Sequence, residues 1–139
     1  MLVFGALTGI AAVTSSCVSA PLGGARHTET TLNISGSKRT EAFTVSFLKR
    51  DCTFSSYPYT GVVEPSRHGK IEIEHGKVTP HFSLSTDKYM CNHRRVEGTI
   101  VYYTPDVAFV GSDQFTVRVT GLHDARGVSD HVVKIRVVK

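Results

Sequence analysis

The chain has 139 residues, of which 40% are hydrophobic, and it carries a net charge of +4 at pH 7. This length suits one domain with a core of its own and is short for a multidomain protein. Basic and acidic residues are interspersed, and the basic pairs Lys49-Arg50 and Arg94-Arg95 lack the aromatic interleaving of a nucleic-acid groove. We therefore expect no nucleic-acid partner. The mild basic excess fits either acidic glycan or lipid surfaces, or a solvated surface with no partner.

Residues 1–25 contain no Lys, Arg, Asp or Glu, and Leu2–Val13 is an apolar run too short to span a bilayer. Such a run is typical of a secretory signal peptide, which we assign to residues 1–25. The basic n-region is missing, so either the signal is atypical or the true start lies upstream of Met1. Three cleavage positions compete: Thr14-Ser15-Ser16-Cys17 resembles a lipoprotein lipobox, Val18-Ser19-Ala20 precedes Pro21, and Gly23-Gly24-Ala25 follows. Lipidation of Cys17 and plain secretion both remain open.

Cys52 and Cys91 remain as a pair once Cys17 is assigned to the signal or anchor. Two cysteines in an oxidising compartment usually form a disulfide, which would close a long loop. The alternative is two unpaired thiols in a cytosolic protein. The signal-like N-terminus favours the disulfide.

Short segments of period two follow the signal. Residues 26–36 are predicted to be a tether that leads into a first strand at Thr30–Ser35, and Ala42–Leu48 alternates clearly enough for the next strand. Ser55–Gly61 contains too many breakers for a central strand and is predicted to be a loop.

The middle of the chain is predicted to form a second block of strands. A turn at Pro65–Gly69 precedes an alternating strand at Lys70–Glu74, and His75–Lys77 is interpreted as a tight connection. Val78–Leu84 follows as an edge strand, because Pro80 cannot donate to a ladder. Asp87–Arg95 is a polar loop.

Val96–Val119 contains two alternating strands, separated by a turn with Pro105 and Gly111. A turn at Gly121–Gly127 and a strand at His131–Val138 complete the chain. No amphipathic helix is indicated outside the signal. The pattern predicts an all-β fold: an immunoglobulin-like antiparallel β-sandwich of about seven strands over residues 37–139, with one disulfide.

The segment Tyr103-Thr104-Pro105 and the following Phe109-Val110-Gly111-Ser112-Asp113-Gln114-Phe115 resemble the bacterial immunoglobulin-like (cadherin-like) repeats of surface and adhesion proteins. Pro65, His68 and Gly69 fit the upstream part of that pattern, and the similarity covers roughly Gly61–Lys139. Such repeats usually form long tandem arrays, whereas this chain holds one copy. The disulfide is also not expected of the typical repeat.

The motif residues make physical sense as a structural corner. Phe109 can tuck under the sandwich end beside Gly111, and Asp113 can accept from turn N–H groups. Tyr103 can bury its ring and bond its hydroxyl to the backbone, as corner tyrosines do. Calcium ligation by Asp113 is the alternative, although no acidic cluster accompanies it. The predicted structural residues are Tyr103, Pro105, Phe109, Gly111, Asp113 and Phe115.

No nucleophile elbow, phosphate loop or dinucleotide fingerprint occurs, so we assign no catalytic residue and no cofactor. Glu72 and Glu74 share an outward strand face and do not suggest a glycosidase pair. The seven histidines of the chain raise the possibility of metal binding. Met90, Cys91 and His93 could bind copper if the thiol of Cys91 were free. No histidine has a recognised ligand spacing: His27, His68, His75, His81, His93, His123 and His131.

These features predict an exported binding or structural protein of the periplasm or cell envelope, anchored through Cys17 or else secreted, and not an enzyme. Its partner would be a protein or an envelope polymer. The loops Asp51–Gly61 and Asp87–Arg95 are the expected contact surface, because a disulfide would reduce the ordering cost on binding. The alternative is a small periplasmic protein that binds copper or zinc through loop histidines.

Overall fold

The computed structural model describes residues 26–121 and 127–139. The predicted signal segment, with Cys17, and His123 lie outside the described residues. Within them no helix has the length and apolar character needed to cross a membrane. A short 3-10 helix (Tyr89–His93) and nine strands are present: β1 (Arg26–Ser35), β2 (Thr40–Val45), β3 (Phe47–Leu48), β4 (Phe54–Ser56), β5 (Tyr59–Glu64), β6 (Gly69–Val78), β7 (Val96–Pro105), β8 (Gly111–Thr120) and β9 (Val128–Val138).

Seven of these strands form a two-sheet sandwich. One sheet has the order β1-β9-β8-β5 and the other β2-β7-β6, while β3 and β4 form a separate two-stranded ribbon. If the ribbon is left out, β2, β7 and β6 are the second, fifth and fourth strands in chain order, and β5, β8 and β9 are the third, sixth and seventh. Immunoglobulin-like sandwiches group their strands in the same two sets. The predicted all-β sandwich with one disulfide is confirmed. The count rises from about seven strands to nine because of the β3-β4 ribbon.

The predicted first strand at Thr30–Ser35 is confirmed, but it begins earlier, at Arg26, so the tether assigned to residues 26–36 is wrong. This strand pairs with β9 in parallel along its whole length, from Arg26 opposite Ser129 to Ser35 opposite Val138. The sandwich is therefore not wholly antiparallel. Leu32 and Ile34 of β1 pack into the core, and the burial of these side chains, about 2 kcal/mol for each if complete, favours an ordered strand over a solvated tether.

The core between the sheets is built mainly from alternate residues of β7, β8 and β9. Val101 and Tyr103 of β7 meet Phe115 and Val117 of β8, and all four side chains are fully buried. The predicted inward face of β9 is confirmed, because Val133, Ile135 and Val137 are buried. Period two thus locates the core wherever one face of a strand looks outward to solvent.

A second cluster covers the outer face of the β2-β7-β6 sheet. It contains Leu48, Val78, Cys91, Val96 and Ile100. Strand β7 is therefore packed on both faces, which is why its side chains are buried without alternation over most of its length. The chain segments that supply this cover are the two long connections on either side of β5 and β6.

Three local predictions are wrong, and each involved a glycine or proline. Ser55–Gly61 contributes to β4 and β5 rather than forming a loop, and Tyr59–Glu64 pairs antiparallel with β8. His75–Lys77 lies inside β6, where Gly76 stands opposite Gly98 in an unbroken register. The predicted edge strand at Val78–Leu84 is absent, because β6 ends at Val78 and residues 79–88 form no strand.

Candidate functional site

Two long connections meet on the outer face of the three-stranded sheet, and we call them together the loop cap (residues 49–58 and 79–95). Cys52 and Cys91 join them through a disulfide whose Cα atoms lie 5.3 Å apart. The predicted pairing is confirmed. The loop cap contains most of Asp51–Gly61 and all of Asp87–Arg95, the two segments expected to form the contact surface.

The 3-10 helix fixes one half of the loop cap. It directs Cys91 into the second cluster, where that side chain is fully buried. The neighbouring Asn92 accepts from the Phe82 N–H at 2.8 Å and donates to the Phe82 carbonyl at 2.9 Å. Because Asn92 satisfies both backbone groups of Phe82, residues 79–88 are held without belonging to a strand.

A hydrogen-bonded turn fixes the other half. Cys52 has φ of 67°, a left-handed conformation that costs a non-glycine residue about 1 kcal/mol or more. The Lys49 N–H donates to the Thr53 carbonyl at 2.9 Å. The carboxylate of Asp51 accepts from the Thr53 hydroxyl at 2.6 Å and the Thr53 N–H at 3.0 Å, and these bonds lower the pKa of Asp51. Turn and disulfide together maintain the strained backbone.

An aromatic stack attaches the loop cap to the edge of the sandwich. The ring of Tyr57 lies on that of His75 of β6, with centroids 3.7 Å apart and planes 3° from parallel. The Tyr57 hydroxyl donates to Glu97 of β7 at 3.2 Å, and the ring of Phe54 lies 4.7 Å from that of Tyr57 at a tilt of 56°. Sequence reasoning missed this stack, since no periodicity links Tyr57 to His75.

The exposed surface of the loop cap carries two strongly exposed apolar side chains and an excess of cationic ones. Leu84 and Met90 are 78% and 69% exposed. The cap carries five cationic side chains and two carboxylates: Lys49, Arg50, Lys88, Arg94 and Arg95 against Asp51 and Asp87. Arg50 pairs with Asp87 at 3.3 Å, but both side chains are well exposed, so the pair contributes little to stability.

The Tyr-to-Phe motif lies at the opposite end of the sandwich and forms the corner that its pattern predicts. Tyr103 donates its hydroxyl to Asp113 Oδ2 at 2.7 Å and lies 3.2 Å from the His68 carbonyl. Asp113 also accepts from the N–H groups of Arg67, His68 and Gln114 at 2.8–3.1 Å. Its two oxygens thus have four donors, which leaves no lone pair for a calcium ion.

The pKa values of this corner follow from the same contacts. Burial works against ionisation of Asp113, yet the bonds from Tyr103 and the three backbone N–H groups outweigh it and lower the pKa of the carboxyl. Burial and the neighbouring carboxylate raise the pKa of Tyr103. Both groups therefore keep one protonation state at neutral pH, as a structural contact requires.

The other motif residues shape the corner around this pair. Phe109 stacks on His68 with centroids 4.4 Å apart. Gly111 has φ of 138°, and a Cβ there would lie 3.5 Å from the Phe109 ring. Pro105 ends β7 and is buried, while Phe115 is fully buried with its ring 5.9 Å from that of Tyr103.

The histidines are dispersed rather than gathered. His68 and His75 are in the aromatic stacks, and His131 lies between the hydroxyls of Thr28 and Ser129. Within residues 26–121 and 127–139, no three His, Cys, Asp or Glu side chains are grouped as metal ligands would be. The thiol of Cys91 is in the disulfide. Glu72 and Glu74 both pair with Arg39, whose guanidinium lies over the Tyr102 ring.

Comparisons with known proteins give little. No family model matches the chain, and no curated protein matches it. Among solved structures, one titled "Solution Structure of Amebosin" is similar with a TM-score of 0.40 and 11% identity, over 84% of this chain and 100% of that chain. A likeness at that level supports no argument about function.

Proposed function

We propose that the chain is an exported binding module of a bacterial envelope, and not an enzyme, whose partner contacts the loop cap. The observation that carries this proposal is the construction of the cap: a disulfide, a side-chain clamp and an aromatic stack hold two irregular connections in one conformation. The inner side of the cap covers the second core cluster, and the same reinforcement keeps its exposed side in one conformation. Connections held in this way are the expected form of a preorganised contact surface.

Preorganisation matters because each side chain or loop ordered on binding reduces affinity. Ordering costs about 0.5–1.5 kcal/mol for each immobilised long side chain, and the cap's backbone incurs little further cost. Exposed Leu84 and Met90 offer apolar anchors, and Met adapts readily to irregular partner surfaces. The surplus of cations favours an acidic partner, either a protein or an envelope polymer, and speeds its approach.

The resemblance to bacterial immunoglobulin-like repeats supports the same proposal. The contacts of Tyr103 and Asp113 suit a corner that stabilises the sandwich, so recognition belongs elsewhere on the molecule. A disulfide persists in the periplasm or outside the cell and is rare in the cytosol. The disulfide supports the proposed location in the periplasm or cell envelope, with a lipid anchor at Cys17, or secretion. Mass spectrometry of the mature N-terminus distinguishes a lipidated Cys17 from a free terminus.

Binding to an immobilised acidic polymer tests the surface. With heparin as the probe, the oxidised protein should bind at low salt, and Lys49→Glu/Arg94→Glu should weaken binding about tenfold or more, because each charge near an anionic surface contributes about 1 kcal/mol. The matched control is Lys134→Glu/Arg136→Glu, which reverses two exposed charges on the outer face of β9.

The control decides what the result means. Equal weakening by both variants would show that net charge alone governs binding, and it would remove the loop cap from the proposal. Loss through the cap variant only, with the control within about twofold, supports the assignment.

A further inference from the structure

A cleft opens between the loop cap and the adjoining end of the sandwich. Its volume is about 760 Å³, and it is lined by the first residues of β1 and β9, the last residues of β2 and β8, the β3-β4 ribbon, and His81, Phe82, Ser83 and Lys88 of the cap. Clefts of this size are typical of sites for small organic ligands.

The lining combines an apolar surface with cations and hydroxyls. Val45, Phe47 and Val119 give the apolar part, while Arg26 and Lys88 are the charged residues. No aspartate or glutamate of the described residues lines the cleft. Among the described lining residues the charged side chains are therefore cationic, which favours an anionic group over a cation.

His131 orients two hydroxyl groups at the cleft wall, those of Thr28 and Ser129. Its Nδ1 lies 2.5 Å from the Thr28 hydroxyl and its Nε2 lies 3.0 Å from the Ser129 hydroxyl, and Phe43 packs on its ring at 4.3 Å. Burial lowers the pKa of His131, so the ring is neutral at pH 7. A neutral imidazole donates to one hydroxyl and accepts from the other. The hydroxyl that accepts from the ring keeps its own proton for another acceptor.

We propose that this cleft binds a small amphipathic carboxylate. Lys88 and the free hydroxyl proton of Thr28 or Ser129 hold the carboxylate, and the alkyl or aryl body lies on Phe47 and Val119. This site adjoins the macromolecular contact proposed for the cap surface and shares Lys88 with it, and it goes beyond that function by adding a small ligand of defined chemistry.

Calorimetric titration of the oxidised full protein with three probes tests the chemistry. Octanoate should bind, acetate should bind at least about tenfold more weakly because it has no apolar body, and octylammonium should not bind. Lys88→Gln should weaken octanoate about tenfold, since a charge-assisted bond is replaced by a neutral one. Lys134→Gln on the outer face of β9 is the control and should leave the affinity unchanged.

Each contrary result overturns the proposal. Equal binding of octanoate and octylammonium would mean that the cleft does not select an anion. An unchanged affinity in Lys88→Gln, or no octanoate binding at millimolar concentration, would equally refute the assignment. The cap variant Lys49→Glu/Arg94→Glu retains Lys88 and the cleft's hydroxyls, so it should bind octanoate as the wild type does even where it binds heparin poorly. This result distinguishes failure of the cleft site from failure of the cap surface.

Discussion

Replacement of Cys52 and Cys91 by alanine is expected to lower the free energy of unfolding by about 4 kcal/mol. The two cysteines are 39 residues apart in sequence. Closing a loop of that length removes about 13 cal/mol/K from the entropy of the unfolded chain, which is about 4 kcal/mol at 25 °C. Alanine is the appropriate replacement because Cys91 is fully buried, and a serine hydroxyl there would lack a partner.

Urea unfolding of the wild-type and double-alanine proteins at pH 7 measures this loss directly. Hydrogen exchange shows where it acts: the N–H of Cys91, bonded to Lys88, should lose protection, while the core strands β8 and β9 keep most of theirs. Reduced wild-type protein is the control, because it lacks the crosslink and retains both sulfurs. If the free energy of unfolding falls by less than about 1 kcal/mol and the protection of the cap is unchanged, the disulfide does not hold the loop cap in place.

Three further predictions concern the corner opposite the cap. Gly69→Ala should lower the free energy of unfolding by about 1–3 kcal/mol, since the added Cβ would lie 2.4 Å from the Tyr103 ring. The control is Gly76→Ala on the same strand, whose Cβ would meet only Ile100 Cδ1, at 3.2 Å, and which should cost less. Tyr103→Phe should cost about 2 kcal/mol by urea unfolding, because a buried bond to a carboxylate is lost; a change below about 0.5 kcal/mol would contradict that role. The lowered pKa of Asp113 contributes stability that is present above about pH 4 and is lost as pH falls through its folded value. Asp113→Asn should therefore flatten the acid limb of a stability-pH profile, and an unaltered limb would count against it.

Local alternation was a sound guide where one strand face meets the core and the other meets solvent. The inward residues of β9 and the alternation of Phe115 and Val117 were predicted correctly for this reason. The corner was also predictable, since Tyr103 and Asp113 lie close in sequence and their chemistry suits a buried hydroxyl-carboxylate bond. The pairing of Cys52 with Cys91 followed from simple counting.

Contacts that depend on distant partners were not predictable. Residues 26–30 are polar and look like a tether, and only pairing with β9 makes them a strand. Gly76 is a turn signal in isolation, but its place opposite Gly98 keeps it in β6. The clamp of Asn92 on Phe82 replaces a strand with an irregular segment, and its amide carries no periodic signal. The loop at Asp87–Arg95 was predicted correctly, whereas the stack of Tyr57 on His75 was not foreseen.

The parallel pairing of β1 with β9 determines how the molecule would carry mechanical load. Arg26 lies beside Ser129 at one end of the ladder, while Lys139 follows Val138, beside Ser35, at the other. A force that pulls these two residues apart therefore acts along the strands in opposite directions. It loads the hydrogen bonds of a ladder about 33 Å long together, in shear, instead of opening them one after another. Tension applied between Arg26 and Lys139 would therefore have to break the whole ladder as one unit.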